Sequence, residues 1–219
     1  MKHLFLSPLL ICLFLFIIGC KKDDDSSQNS NVESFDRTSF SNVFEDIASI
    51  YSMKNIPDGG YILAGDGKNE SISYYDVQLT KLDALCNVVW TQYYGGSYTD
   101  FGDDVWPTTD GGFIVSGTTQ VPGQGNNAIV IKTDKFGNEE WSKNYGGTEY
   151  DIAESILQTD DGGFIFVGHT KSFGVVQFDK YLVRTNKNGT VIWSKMSRNS
   201  MDDYAWEIIK SHDNQFVIL

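Results

Sequence analysis

Positive charge is scarce in this sequence. Its 219 residues hold 17 Lys and Arg against 29 Asp and Glu, a formal net charge of −12, and no basic cluster interrupts the acidic background. Nucleic-acid binding therefore lacks the phosphate neutralisation that drives it. Histidine is nearly absent: His3, His169 and His212 form no His-Glu-x-x-His pattern, so a zinc hydrolase has no support. There is no Gly-x-Ser-x-Gly elbow and no Asp-x-Asp-x-Asp-Gly loop with a later Glu, which removes a serine hydrolase of that type and an EF-hand. Gly123-Gln124-Gly125 lacks the strand-to-helix setting of a phosphate loop. Only three cysteines occur, Cys12, Cys20 and Cys86. With the first two in or beside the N-terminal apolar run, Cys86 stands alone in the folded part, without a disulfide mate or a Cys-based metal cluster. No apolar run reaches the roughly 20 residues of a membrane-spanning helix. Proline is rare, at 4, against 21 Gly, 14 Phe, 11 Tyr and 5 Trp, a balance that favours tight turns between aromatic-rich strands. With 41% hydrophobic and 21% charged residues the chain can bury a core, so disorder throughout is excluded.

The N-terminus has the form of a secretion signal: a basic start at Met1 to His3, an apolar run from Leu4 to Ile18, then Gly19-Cys20. This run ending in Gly-Cys resembles the lipobox of bacterial lipoproteins. The resemblance implies that residues 1–19 are removed and that Cys20 is lipidated, anchoring the chain to a membrane; a plain signal peptide with a chance cysteine is the alternative. Lys21-Lys22-Asp23-Asp24-Asp25, followed by Ser, Gln and Asn to Asn31, has too little apolar surface to fold, so residues 20–41 are expected to be a flexible acidic tether. A Lys followed by several acids behind such a cysteine resembles the export signal of Bacteroidota lipoproteins. That implies an outer-membrane location facing the exterior, against a linker without sorting content. The mature chain would carry 16 cations and 29 acids, a net −13, so attachment would rest on the lipid.

A repeat fills the rest. Asp58-Gly59-Gly60-Tyr61-Ile62, Asp110-Gly111-Gly112-Phe113-Ile114 and Asp161-Gly162-Gly163-Phe164-Ile165 recur at intervals of 52 and 51, with a degraded copy at Asp213-Asn214-Gln215-Phe216-Val217. Trp90, Trp141 and Trp193 keep the same beat, each seven residues after Asp83, Asp134 and Asn186. Each unit contains four short apolar runs divided by Asp-Gly or Asn-Gly turn chemistry; in one unit they lie at Ile152 to Leu157, Gly163 to Gly168, Lys180 to Thr185 and Thr190 to Lys195. A unit this thin cannot bury both faces alone, so neighbours must stack. A period near 50 with four strands predicts an all-β fold, a partial β-propeller of four-stranded antiparallel blades over residues 42–219. That span holds about 3.5 units where closed rings use 4 to 8, which predicts either a fragment of a longer protein or a ring completed by several chains.

The segment from Tyr145-Gly146-Gly147 through Asp161-Gly162-Gly163-Phe164-Ile165-Phe166-Val167-Gly168 resembles the β-propeller repeat family of secreted bacterial proteins, a likeness that extends from about Phe44 to Leu219. The turns that lead to Trp90, Trp141 and Trp193 resemble the tryptophan-docking turns of quinoprotein propellers. That likeness implies stacking of each Trp between blades, with no cofactor carried over. Asp100, Asp151 and Asp203 share one repeat position, with Asp46 as the equivalent in the first unit. Carboxylates there could ligate Ca²⁺ or act as acid and base, but a group repeated in every blade reads as a backbone hydrogen-bond acceptor at a strand entry. Asp58, Asp110 and Asp161, with Gly111, Gly112, Gly162 and Gly163, read as turn residues in the same way. No catalytic residue and no metal site is expected. His169 ends a strand and is expected to be satisfied or exposed. Cys86 occupies the turn position of Gly137 and Gly189 and has no evident His partner. The expected function is a membrane-anchored module that binds or scaffolds a protein or glycan; the alternative is a glycoside hydrolase-like part of a polysaccharide-degrading enzyme.

Overall fold

The structure, a computed structural model, describes residues 49–68, 74–198, 201–213 and 215–219, all within the unit Glu33–Leu219. The signal, Cys20, the tether and Asp46 lie outside the described residues. The described chain is strand and turn with no helix, and it runs as a succession of meanders.

The first sheet holds Ser49–Asn55 (β1), Tyr61–Gly67 (β2), Asp76–Leu82 (β3) and Val88–Tyr94 (β4). The second holds Asp100–Pro107 (β5), Phe113–Gln120 (β6), Asn126–Thr133 (β7) and Glu139–Tyr145 (β8). The third holds Asp151–Gln158 (β9), Phe164–Thr170 (β10), Asp179–Thr185 (β11) and Val191–Met196 (β12). Each is antiparallel in sequence order, and Ile208–Lys210 (β13) pairs with Phe216–Ile218 (β14) as a two-stranded fourth. This is the all-β, partial propeller that the repeat predicts, three full blades and a half blade that do not close a ring among the described residues. The strands of the third blade run one or two residues longer than the apolar runs at Asp151 and at Thr170, because polar ends join the ladder.

Stacking explains why the middle strands read as continuous apolar runs. In β6, Phe113 and Val115 face Ile62 and Leu79 of the first blade, in one cluster with Val105 of β5, while Ile114 faces Ala153 and Phe166 of the third. In β10, Phe164 and Phe166 face the second blade, and Ile165 and Val167 face Ala205 and Ile208 of the fourth. Burial on both faces removes the in–out alternation of a one-sided sheet. Each fully buried ring such as Phe164 or Phe166 contributes about 2–3 kcal/mol. The first strands pack on one another, β1 against β5 and β5 against β9, so the blades converge on that side.

Two turns in each unit fix the blade. In Thr108-Thr109-Asp110-Gly111-Gly112, Gly111 takes φ +86° while Gly112 lies so close to Thr133 that a Cβ would sit 2.1 Å from its carbonyl oxygen. Asp110 Oδ1 accepts from the Gly112 N–H at 3.0 Å, and Asp58 and Asp161 repeat this at 3.1 and 3.2 Å with Gly60 and Gly163. A cation from the third strand pairs with each turn carboxylate: Lys81 with Asp58 at 2.6 Å, Lys132 with Asp110 at 2.9 Å, and Arg184 with Asp161. The second turn is capped by Asp83, Asp134 or Asn186, whose side chain accepts two backbone N–H groups.

Candidate functional site

The repeated residues bind the scaffold. Trp90 of β4 meets Phe113 of the next blade at 5.9 Å between ring centroids, and Trp141 of β8 meets Phe164 at 5.9 Å. The same outer strands grip the next blade's turn: Tyr94 donates to the Gly137 carbonyl at 2.6 Å and Tyr145 to that of Gly189 at 2.7 Å. Burial raises the pKa of both phenols, which stay donors. Trp193 is 37% exposed, with Lys195 over its ring. Asp100 accepts from the Gly96 N–H at 3.0 Å, and Asp151 from the Gly147 N–H at 2.7 Å and from Ser172 and Thr170 hydroxyls. The Asp203 backbone N–H donates to the Phe178 carbonyl at 2.7 Å. Cys86 takes φ +63°, a glycine-like conformation at the position of Gly137 and Gly189.

The more chemically varied position lies on the first strands. Each carries a β-bulge at the same place in its unit: the ladder skips Tyr51 in β1, Asp103 in β5 and Glu154 in β9. A bulge re-aims the extra side chain. Beside it, on the second strand, stand Asp66, Thr118 and His169, again at equivalent positions. The pairs touch. Tyr51 hydrogen-bonds Asp66, Thr118 donates to Asp103 Oδ2 at 3.3 Å, and His169 Nδ1 lies 3.6 Å from Glu154 Oε1. The scaffold positions keep similar chemistry from unit to unit. This pair changes in every blade, from Tyr/Asp to Asp/Thr to Glu/His.

Asp104, next to the second bulge, draws the three pairs together. It is 6% exposed, and its carboxylate accepts from Ser52 of the first blade at 2.6 Å and from Ser155 and the Ile156 N–H of the third at 2.9 and 3.1 Å. Lys54 sits 3.0 Å away. Neighbours of these bound residues, Tyr51, Asp103 and Glu154, therefore share one surface. Burial, then the Glu154 charge, holds the Asp103 carboxyl well above the usual range, with Asp66 and Asp104 adding to the effect. Burial raises Asp66 and pushes Glu154 up to about 7. Burial pushes His169 down to about 4, so the imidazole is neutral at pH 7.

His169 departs from the expectation of a satisfied or exposed residue. It is 5% exposed and its Nδ1 makes no hydrogen bond. Three rings surround the imidazole edge-on, Tyr204 at 4.9 Å, Phe178 at 5.1 Å and Trp206 at 5.8 Å, and Tyr204 stacks on Trp206. Trp206 occupies the bulge position of the fourth unit, one period after Glu154, and is 59% exposed. The surface can offer carboxyl groups in either protonation state, a neutral imidazole and aromatic faces. Among the described residues, no three of His, Cys, Asp and Glu converge to hold a metal ion. The repeat alone did not single these residues out. The signal was present as mid-strand glycines at one period, Gly65, Gly117 and Gly168, each lying so close to the first strand that a Cβ would meet the carbonyl oxygen of Ser49, Phe101 or Ile152 at 1.9 Å.

No family model matches the chain, and no curated protein matches it. Among solved structures it is similar to Sqt1 from Chaetomium thermophilum, with a TM-score of 0.42 and 10% identity over 80% of this chain. The chain spans 41% of the length of that structure.

Proposed function

We propose that the protein is a lipoprotein anchored through Cys20 to the outer face of the outer membrane, whose blades bind a glycan. The observation that carries the binding reading is the bulge surface, where each blade has a different polar pair and His169 of the third lies against the rings of Phe178, Tyr204 and Trp206. Varied hydrogen-bonding groups set against aromatic faces suit sugar rings, which have apolar faces and polar edges. Purified full-length protein screened on a broad glycan panel should bind at least one member, and Trp206→Ala should lose that binding while unfolding at the same temperature. A protein that binds no glycan refutes the reading. The anchor is tested separately. A palmitate analogue should label the wild type and not Cys20→Ala, and protease added to intact cells should degrade the protein; an unlabelled or protected wild type refutes the anchor or its facing.

A second reading, a glycoside hydrolase-like part of a polysaccharide-degrading enzyme, is favoured by one observation: Glu154 titrates at about 7, where a general acid works at neutral pH. Turnover on the same glycan panel, lost in Glu154→Gln, would support it, and binding without turnover would remove it.

A further inference from the structure

The linker between the second and third blades and the β10–β11 loop border an open cavity of about 470 Å³, lined by Thr148 and Glu149 of the linker and by Lys171 to Val176 of the loop. Pockets that take small ligands run from about 300 to 1,000 Å³. Asp151 holds both walls, its Oδ2 accepting from the Gly147 N–H and from the Ser172 hydroxyl, each at 2.7 Å. The walls are also tied to each other: the Glu149 N–H donates to Ser172 Oγ at 3.1 Å and the Lys171 N–H to the Tyr150 carbonyl at 2.7 Å. Ser172 is 2% exposed, so this junction is built into the fold.

The lining carries groups that the scaffold leaves free. Glu149 and Lys171 have opposite charges, yet neither forms an ion pair among the described residues. Lys171 Nζ rests over the Phe178 ring at 4.6 Å, a contact that occupies none of its three N–H donors in a hydrogen bond. Phe173 takes φ +62°, a costly conformation for a bulky residue, and Gly174 follows at φ +80°. This turn keeps the Phe173 ring 49% exposed, with Tyr181 on one side at 5.8 Å, where a core residue would be covered. Backbone outliers of this kind collect at ligand sites.

The charges of the lining select the ligand. An anion meets Glu149 and a chain of net charge −12, and a cation meets Lys171. A neutral polyhydroxylated ring uses both: a carboxylate accepts from its hydroxyls, an ammonium donates to them, and its apolar face lies on an aromatic ring. We infer that this cavity binds one pyranose ring of a neutral glycan, with Glu149 and Lys171 on its hydroxyls and Phe173 against its apolar face. The inference rests on the glycan-binding reading, to which it adds a second contact region and a ligand class. Lys171 joins the two regions, since Phe178 belongs to the ring group around His169.

Calorimetry of the purified full-length protein tests it with hexamers of glucose, mannose and galactose, set against galacturonate and glucosamine hexamers as charged counterparts and leucine as a zwitterion. The expected result is binding of at least one neutral hexamer, tighter than either charged hexamer and than leucine. Phe173→Ala and Glu149→Gln should each weaken that hexamer about tenfold while unfolding at the temperature of the wild type. Glu149 is exposed, so its variant decides the outcome if Phe173→Ala is unstable. Wild-type affinity in Glu149→Gln overturns the cavity site, and the glycan-binding reading stands without it if Trp206→Ala loses the same binding. A charged hexamer or leucine bound more tightly than every neutral hexamer also overturns the inference. If none of the three neutral hexamers binds, the tightest neutral glycan of the panel replaces them in the variants. If every glycan that binds is charged, the inference falls alone; if no glycan binds, the underlying reading falls with it.

Discussion

Substitution of Gly137 by alanine separates the two physical demands made at one turn. Gly137 has φ +81°, which costs an L-residue about 1 kcal/mol or somewhat more. A Cβ there would also lie 2.8 Å from Gln92 Cγ and 3.0 and 3.1 Å from two carbons of the Trp90 ring. The Gln92 tail can swing away. The Trp90 ring is held against Phe113 and would have to shift, and such overpacking costs about 1–3 kcal/mol. Together these give a loss of about 2–4 kcal/mol. Gly111 is the internal control, because its φ of +86° makes the same backbone demand while a Cβ meets nothing within 4 Å. Gly111→Ala should therefore cost only about 1 kcal/mol. Urea unfolding followed by tryptophan fluorescence, with calorimetry alongside, measures the difference; each kcal/mol moves Tm by about 2–4 °C in a domain of this size. Equal losses for the two variants would refute the argument that the Trp90 ring packs on that turn. The mirror experiment is Cys86→Gly at the equivalent position, which relieves a φ of +63° and should gain up to about 1 kcal/mol.

Other outcomes follow from the site and the blade contacts. Glu154, ordinarily near 4.5 and here about 7, contributes stability that is full below pH 4.5 and lost as pH rises through 7. His169, ordinarily near 6.5 and here about 4, contributes stability that is full above pH 6.5 and lost as pH falls through 4. Each effect is worth about 3 kcal/mol and the two oppose; the raised carboxyls of Asp66 and Asp103 act alike in both proteins, so from pH 4.5 to 6.5 Glu154→Gln should gain about 3 kcal/mol relative to the wild type, and a variant whose pH profile parallels that of the wild type refutes the assignment. Asp104→Ala strips the acceptor from Ser52, Ser155, the Ile156 N–H and Lys54, and should cost about 3–5 kcal/mol in urea unfolding, while a loss below about 1 kcal/mol would show that the three blades do not depend on it. Trp141→Ala should cost about 2–4 kcal/mol and Trp193→Ala under about 1 kcal/mol, since Trp141 packs on Phe164 of the following blade whereas Trp193 is exposed; similar losses would contradict this.

The blades were legible because their determinants are local and repeated. Asp110-Gly111-Gly112 must turn the chain and let β6 pass close to β7, and few other residues can do both, so the motif recurs nearly unchanged. The Asp134 turn and Trp141 recur for the same reason. The bulge surface was hidden by the opposite property. A bulge inserts a residue without requiring turn chemistry, so Tyr51, Asp103 and Glu154 look like three unrelated strand residues until the ladder shows that each is skipped. His169 was misread because a strand end is usually wet, whereas Phe178, Tyr204 and Trp206 close over this one from a loop and from the next unit. No periodicity within a single unit encodes that closure.

The division of labour between turns and bulges leaves the bulge free to vary. Trp90, Tyr94 and the Gly137 turn dock the first two sheets through atoms at their outer margin, far along the chain from Tyr51 and Asp103. A mutation at a bulge can thus alter what one sheet displays without disturbing how it is mounted.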